Sequence, residues 1–177
     1  LDDYEHGRTH ETPHDMRPPS TVVRLPDSTE THAEWRESEQ VGRELLSEGK
    51  VGILLVAGGR GSRLGYDYAK GTFPIGPVSK SSLYRILAEK VIARSCEAGV
   101  GIPYYILVSD ATEEETMTHF RQNKYFGLDE SDVTFFKAKN MPAVDLNTRR
   151  MLLESRGKIA MSPGGNGGML EALAHRG

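Results

Sequence analysis

One cysteine, Cys96, stands in 177 residues. That rules out an internal disulfide framework and fits a reducing, cytoplasmic setting. No apolar run approaches the roughly 18 residues that a membrane span requires, and no charged-then-apolar leader opens the chain. Positive charge is not in excess either: 22 Lys and Arg face 25 Asp and Glu, a formal charge of −3. No overall basic field recruits nucleic acid or a membrane surface, so anion binding has to be local. Two familiar phosphate motifs are missing as well. No frame supplies the Gly-x4-Gly-Lys-Ser/Thr of a P-loop. Gly59, Gly61 and Gly65 form Gly-x-Gly-x-x-x-Gly, one residue longer than the dinucleotide fingerprint. No Ser–His–Asp or Cys–His constellation marks a side-chain nucleophile.

What is present is one stretch that organises the rest, Val51-Gly-Ile-Leu-Leu-Val-Ala-Gly-Gly-Arg-Gly-Ser-Arg-Leu-Gly65. Its apolar run, Val51 to Ala57, reads as a central strand buried on both faces, as parallel α/β sheets require. The glycines that follow let the backbone turn sharply and approach a ligand, so that N–H groups face an anion. Arg60 and Arg63 add guanidinium donors suited to phosphate, and Lys70 follows five residues on. The pattern predicts a nucleotide-phosphate loop at the C-terminal end of a strand, where open α/β sheets place their ligands.

These residues carry a resemblance. Leu55-Val-Ala-Gly-Gly-Arg-Gly-Ser-Arg-Leu-Gly65 with Lys70-Gly71 resembles the signature of the UDP-sugar pyrophosphorylases, most of all the group of UDP-N-acetylglucosamine pyrophosphorylases. Their pattern is Leu-x-Gly-Gly-x-Gly-Thr-Arg-Leu-Gly-x3-Pro-Lys-Gly; this chain has Ser62 for the Thr and Ala69 for the Pro. Ser82-Leu-Tyr84, Lys124-Tyr-Phe-Gly-Leu128, Met141-Pro-Ala143 and Ser162-Pro-Gly-Gly-Asn-Gly-Gly168 extend the resemblance in the right order.

The resemblance implies a uridylyltransferase that makes a UDP-sugar and pyrophosphate from UTP and a sugar 1-phosphate, with a UDP-N-acetylhexosamine as first choice and UDP-glucose as second. Arg63 and Lys70 are the expected catalytic cations on the triphosphate. Val56, Ala57, Gly58, Gly59, Gly61 and Gly165 are expected against the nucleotide, and Asn166 against the sugar. Mg2+ is the implied cofactor, with its carboxylate ligand expected beyond Gly177, so the chain reads as the N-terminal portion of a longer enzyme. Two departures stand out. Ala138-Lys139 occupies the place of the family's Gln-Gly, whose Gln reads the uracil, and Gly164 replaces an Asp. Lys139 and Lys137 are the nearest candidates to stand in for that Gln. The rival readings are a non-catalytic nucleotide-binding or regulatory module and, more weakly, a dinucleotide-binding oxidoreductase domain.

Taken in order, residues 1–33 are a polar, Pro- and His-rich arm in which Val22 to Leu25 suggests a short docking strand. Glu34 to Glu48 is a predicted helix anchored by Trp35 and stopped by Gly49, which closes a region 1–49 ahead of a nucleotide-binding part 50–177. A helix capped at Ser81 or Ser82 runs to Ala98, with Leu83, Leu87 and Val91 as its buried stripe and Gly99 as its stop. Pro103 to Ser109 is a strand, followed by Asp110, read as a helix cap. Thr112 to Glu115 is a capping box opening a helix with Met117 and Phe120. Asp132 to Lys137 is a third strand. A hairpin around Glu154 to Gly157 and a helix over Gly168 to His175 complete the chain. The alternation predicts an α/β fold with a doubly wound, mostly parallel sheet, a Rossmann-like nucleotidyltransferase fold that is incomplete in this chain.

Overall fold

The computed structural model describes residues 17–22, 31–163 and 167–175. Packing divides the chain into two units, Leu1–Glu39 and Gln40–Gly177. The boundary falls inside the first helix, α1 (Thr31–Ser47). Gly49 at φ +68 ends it, with the Gly49 and Lys50 amides donating to the Leu46 and Leu45 carbonyls at 3.0 Å each. That pair of bonds satisfies carbonyls the helix would otherwise leave open. Trp35, on this helix, keeps 40% of its surface exposed. Of the arm, His6, His10, His14 and residues 23–25 lie outside the described residues.

The second unit is built on three parallel strands in the order β1 (Ile53–Val56), β2 (Tyr104–Val108), β3 (Val133–Lys137). Helix α2 (Leu83–Ala98) crosses from β1 to β2, and α3 (Glu113–Gln122) from β2 to β3. In register, Ile53 faces Tyr104 and Tyr104 faces Val133; two residues on, Leu55, Ile106 and Phe135 share a row. Ala57, Tyr104, Ile106 and Val108 continue that face and bury against Tyr84 and Val91 of α2 and Phe120 of α3. Both crossover helices therefore cover one face, as two successive right-handed crossovers in one direction must.

β2, flanked on both sides, is the buried strand. β1 is an edge strand among the described residues, and Val56 at its end is 49% exposed. The run expected as a central strand, Val51–Ala57, forms β1, which has one neighbouring strand among the described residues. Both runs are apolar, and only neighbour pairing separates an edge from a centre.

Two other local expectations shift. Ser82 caps α2, its Oγ accepting from the Arg85 amide at 3.2 Å, but the buried stripe is Tyr84, Ala88 and Val91. A turn one residue out of phase puts Tyr84 inward, where its hydroxyl meets Thr116 Oγ1 at 3.0 Å. Thr112 precedes α3 without capping it. Its hydroxyl is buried and donates to the Ala57 carbonyl at 3.2 Å, a tertiary partner that outcompetes the local cap.

The Lys124–Leu128 segment makes a turn in which Lys124, Tyr125 and Phe126 hold positive φ, a conformation disfavoured for L-residues. Aromatic packing offsets it: the Phe126 ring lies 5.1 Å from Phe120 and 5.6 Å from His119. Beyond β3, short antiparallel ribbons follow. β4 (Asn140–Pro142) pairs with β7 (Met161–Pro163), and β5 (Leu153–Ser155) with β6 (Lys158–Ile159) in the expected hairpin. Helix α4 (Gly168–Ala174) closes the described chain.

Candidate functional site

The apolar run leaves the sheet at Ala57, whose amide still donates to the Leu107 carbonyl at 2.7 Å. From there the backbone doubles back on itself. The Gly61 amide donates to the Tyr68 carbonyl at 2.9 Å and the Lys70 amide to the Gly59 carbonyl at 3.0 Å, forming a bridge between Arg60 and Ala69. A one-turn helix, Ser62–Leu64, carries Arg63 and ends at Gly65 in the left-handed region at φ +65. Gly61 tolerates nothing larger, because a Cβ there would stand 2.9 Å from the Tyr66 carbonyl oxygen. A Cβ on Gly59 would meet no atom within 4 Å, so that backbone is open. Among the described residues, the amides of Gly58 and Gly59 donate no hydrogen bond.

The three cations of this segment divide. Arg60 donates to the Asp67 carbonyl and, at 3.4 Å, to the Ala111 carbonyl. It is a brace of the loop, contrary to the phosphate role its composition suggested. Arg63 and Lys70 are exposed and make no hydrogen bond or ion pair among the described residues. The loop thus gathers Val56, Ala57, Gly58, Gly59, Gly61, Arg63 and Lys70 on one short length of chain. Gly165 and Asn166 lie outside the described residues. The segment leading to them is tied in, since β7 pairs Ser162 with Met141 and the Ala143 amide donates to the Ala160 carbonyl at 2.8 Å.

Sequence reasoning missed the residues that hold this loop. Ser109 Oγ donates to the Gly58 carbonyl at 2.9 Å, beside the Thr112 bond to Ala57. Glu115 Oε2 accepts the Ala69 amide at 2.9 Å. The available signal was a cluster of Ser, Thr and Glu just after a neighbouring parallel strand, where side chains reach the next loop. Asp110 is not a helix cap. It accepts from Lys137 Nζ at 3.1 Å and Asn140 Nδ2 at 2.7 Å, and the lysine holds its carboxyl below the usual carboxylate range. Lys137 also donates to Glu113 at 2.8 Å, and Lys139 pairs with Glu171 at 2.8 Å. Neither lysine is free to replace the missing Gln without breaking an ion pair.

A cavity of about 550 Å³ is lined in part by Tyr66, Tyr68, Asp110, Glu114, Glu115 and His119. Three carboxylates make it a poor receptacle for phosphate, and neither Arg63 nor Lys70 lines it.

A parallel sheet, a crossover helix after each of its first two strands and a glycine loop at the C-terminal end of β1 define an α/β protein of the nucleotidyltransferase type. The chain matches the family described as UTP–glucose-1-phosphate uridylyltransferase over residues 8–177, and it belongs to that family. It is similar to a probable UDP-N-acetylglucosamine pyrophosphorylase of Schizosaccharomyces pombe, 38% identical over an aligned length of 168 residues, with 90% of this chain and 34% of the relative covered. The UDP-N-acetylglucosamine pyrophosphorylase of Saccharomyces cerevisiae is 37% identical over 160 residues, 88% of this chain and 33% of that protein. The solved uridine diphosphate N-acetylglucosamine pyrophosphorylase of Trypanosoma brucei, in complex with inhibitor, superposes with a TM-score of 0.75 at 34% identity, covering 85% of this chain and 31% of that one. The chain therefore spans about a third of the length of these relatives.

Proposed function

We propose that residues 50–177 carry the UTP-binding part of a uridylyltransferase that joins UTP and a sugar 1-phosphate into a UDP-sugar, releasing pyrophosphate. The product class is a UDP-N-acetylhexosamine, after the printed names of the relatives, with UDP-glucose as the second choice. One observation carries the reading: in a loop with three cations, one is consumed as a brace, while among the described residues Arg63 and Lys70 make no hydrogen bond or ion pair and the amides of Gly58 and Gly59 donate none. Unpaired charge on a braced backbone is what a polyphosphate requires, because donors already in place need no reorganisation when the ligand arrives. Ala57, Gly61 and Val56 complete the nucleotide's surroundings, with Gly165 at the uracil and Asn166 at the sugar.

In this reaction a phosphate oxygen of the sugar 1-phosphate attacks the α-phosphorus of UTP in line. The bond from that phosphorus to the bridging oxygen breaks, and pyrophosphate leaves with the electron pair. The attacking group is already anionic, so no side-chain nucleophile is needed. Arg63 and Lys70 hold the triphosphate and neutralise charge that spreads over the transition state. Mg2+ supplies further neutralisation in such transfers when bound. Among the described residues no group of three or more His, Cys, Asp or Glu could hold it, so no step is assigned to it. Cys96, exposed as a free thiol, suits the reducing cytoplasm in which this reading sets the enzyme.

The test is UTP binding by calorimetry together with pyrophosphate release across a panel of sugar 1-phosphates in the full-length protein. Arg63→Ala and Lys70→Ala should each lower turnover by roughly 10²–10³, as loss of a transition-state charge contact does. Near-normal turnover in both variants would remove the loop from the triphosphate.

A further inference from the structure

We infer that Glu115 is a positioning residue for Lys70: its carboxylate, set on α3 and hydrogen-bonded to the Ala69 amide, fixes the backbone from which Lys70 reaches the nucleotide. The inference rests on the reading that Lys70 meets the phosphates.

Ala69 is fully buried, at 0% exposure, so its N–H must find an acceptor. The bridge to Arg60 cannot supply one. Its two bonds run from the Gly61 amide to Tyr68 and from the Lys70 amide to Gly59, which leaves the Ala69 amide outside the pair. Glu115, 46 residues away in sequence, accepts it at 2.9 Å. A carboxylate accepting a backbone N–H makes a charge-assisted bond, stronger than a neutral one. Two further ties run between the same regions. Thr112 donates to the Ala57 carbonyl at 3.2 Å, and Arg60 donates to the Ala111 carbonyl at 3.4 Å. The start of α3 thus holds the loop at its entry, its middle and its exit. The exit is the part that carries Lys70.

The backbone angles say what the bond replaces. Ala69 sits at φ −56 and ψ 128, angles a proline adopts unaided. A proline there holds the chain by its ring and has no N–H to satisfy. Alanine frees φ and exposes a donor, and Glu115 restores the restraint and satisfies that donor. Lysine has four rotatable bonds, so its reach is set by where its backbone is held, and a shift of about 1 Å at such a site is costly.

The experiment compares Glu115→Ala, Glu115→Gln, Lys70→Ala and the double variant Glu115→Ala with Ala69→Pro. Calorimetry reads UTP affinity, and amide hydrogen exchange reads the Lys70 N–H. Glu115→Ala should weaken UTP binding about tenfold, as a misplaced donor does, and should speed exchange at Lys70. Glu115→Gln keeps an acceptor oxygen and should bind within about twofold of the parent. The double variant should recover to within about threefold, because the ring supplies the lost restraint and breaks neither bridge bond. Such rescue is beyond a residue that merely stabilises the fold or touches the ligand itself. If Glu115→Ala leaves both affinity and exchange unchanged, or if proline fails to rescue a folded Glu115→Ala protein, the positioning role is wrong. If Lys70→Ala binds UTP normally, the phosphate reading fails separately, and the exchange at Lys70 still decides whether Glu115 holds the loop.

Discussion

The parallel core and the antiparallel ribbons of the same unit are built on opposite terms. In the core, β2 contributes Tyr104, Ile106, Leu107 and Val108 as buried side chains, and Phe120 is fully enclosed among Tyr84, Tyr125, Phe126 and Phe135. In the ribbons, Met141, Leu146, Met151, Leu153, Ile159 and Met161 are all exposed, Leu146 by 78%. The ribbons hold together by ladder and turn hydrogen bonds, such as Thr148 and Asn147 amides on the Asp145 carboxylate at 2.6 and 3.0 Å. Burial of apolar surface is the main force that drives folding, while a solvated hydrogen bond exchanges one partner for another. Stability in this unit is therefore concentrated where the two crossover helices meet the sheet. The candidate loop grows from that face and is braced by α3.

The sharpest test of the contrast is Phe120→Ala against Leu146→Ala in urea unfolding. The first leaves a large cavity under four rings and should cost about 3–5 kcal/mol. The second removes an exposed side chain and should stay within about 0.5 kcal/mol. A ribbon variant as damaging as the core one would break the comparison.

Gly71→Ala follows in size. A Cβ at Gly71 would stand 2.0 Å from the Tyr84 ring, which cannot retreat without losing its Thr116 bond. Overpacking of this kind costs about 1–3 kcal/mol, and the urea midpoint should fall accordingly. An unshifted midpoint would mean that the loop floor is softer than the core it joins.

The smallest effect is a pH dependence confined to the core side. His119, half-buried on α3 with Nε2 at 3.1 Å from Ser82 Oγ, has its pKa lowered by burial, against an opposing pull from Glu115. Its unfolded value is about 6.5. Between the folded value and that one, the unfolded chain binds more protons, so stability rises with pH across the interval. It is lost as pH falls through about 6.5 toward the folded value. Urea midpoints from pH 7.5 down to 5.5 should decline in the parent and less so in His119→Gln. Equal slopes in both proteins would assign the decline elsewhere.

Several readings were legible in the chain itself. The Ser82 cap, the Gly49 and Gly99 stops, the three strands and the 154–157 hairpin all follow from local chemistry: a side chain that caps, a residue that accepts positive φ, a run that must be buried. The family followed too, because its motifs recur in order over most of the chain. Part of that recognition turned on scaffold, since Ser82 is a cap, Tyr84 is core, and the Lys124–Leu128 turn packs on Phe120.

Other matters were decided only by the tertiary structure. Val51–Ala57 and Pro103–Ser109 both read as apolar strands, and only pairing gives the first one neighbour and the second two among the described residues. Arg60 and Arg63 are the same residue type three positions apart. One is consumed by the Asp67 and Ala111 carbonyls because the loop folds back past α3, and the other is left unpaired among the described residues. Thr112 and Glu115 spell a cap in sequence, yet they bond to Ala57 and Ala69 because the fold brings those buried residues' backbone groups, which must be satisfied, within their reach. Local preference is worth tenths of a kcal/mol to about one, and a buried unpaired polar group costs about 1–3, so at these positions long-range partners prevail.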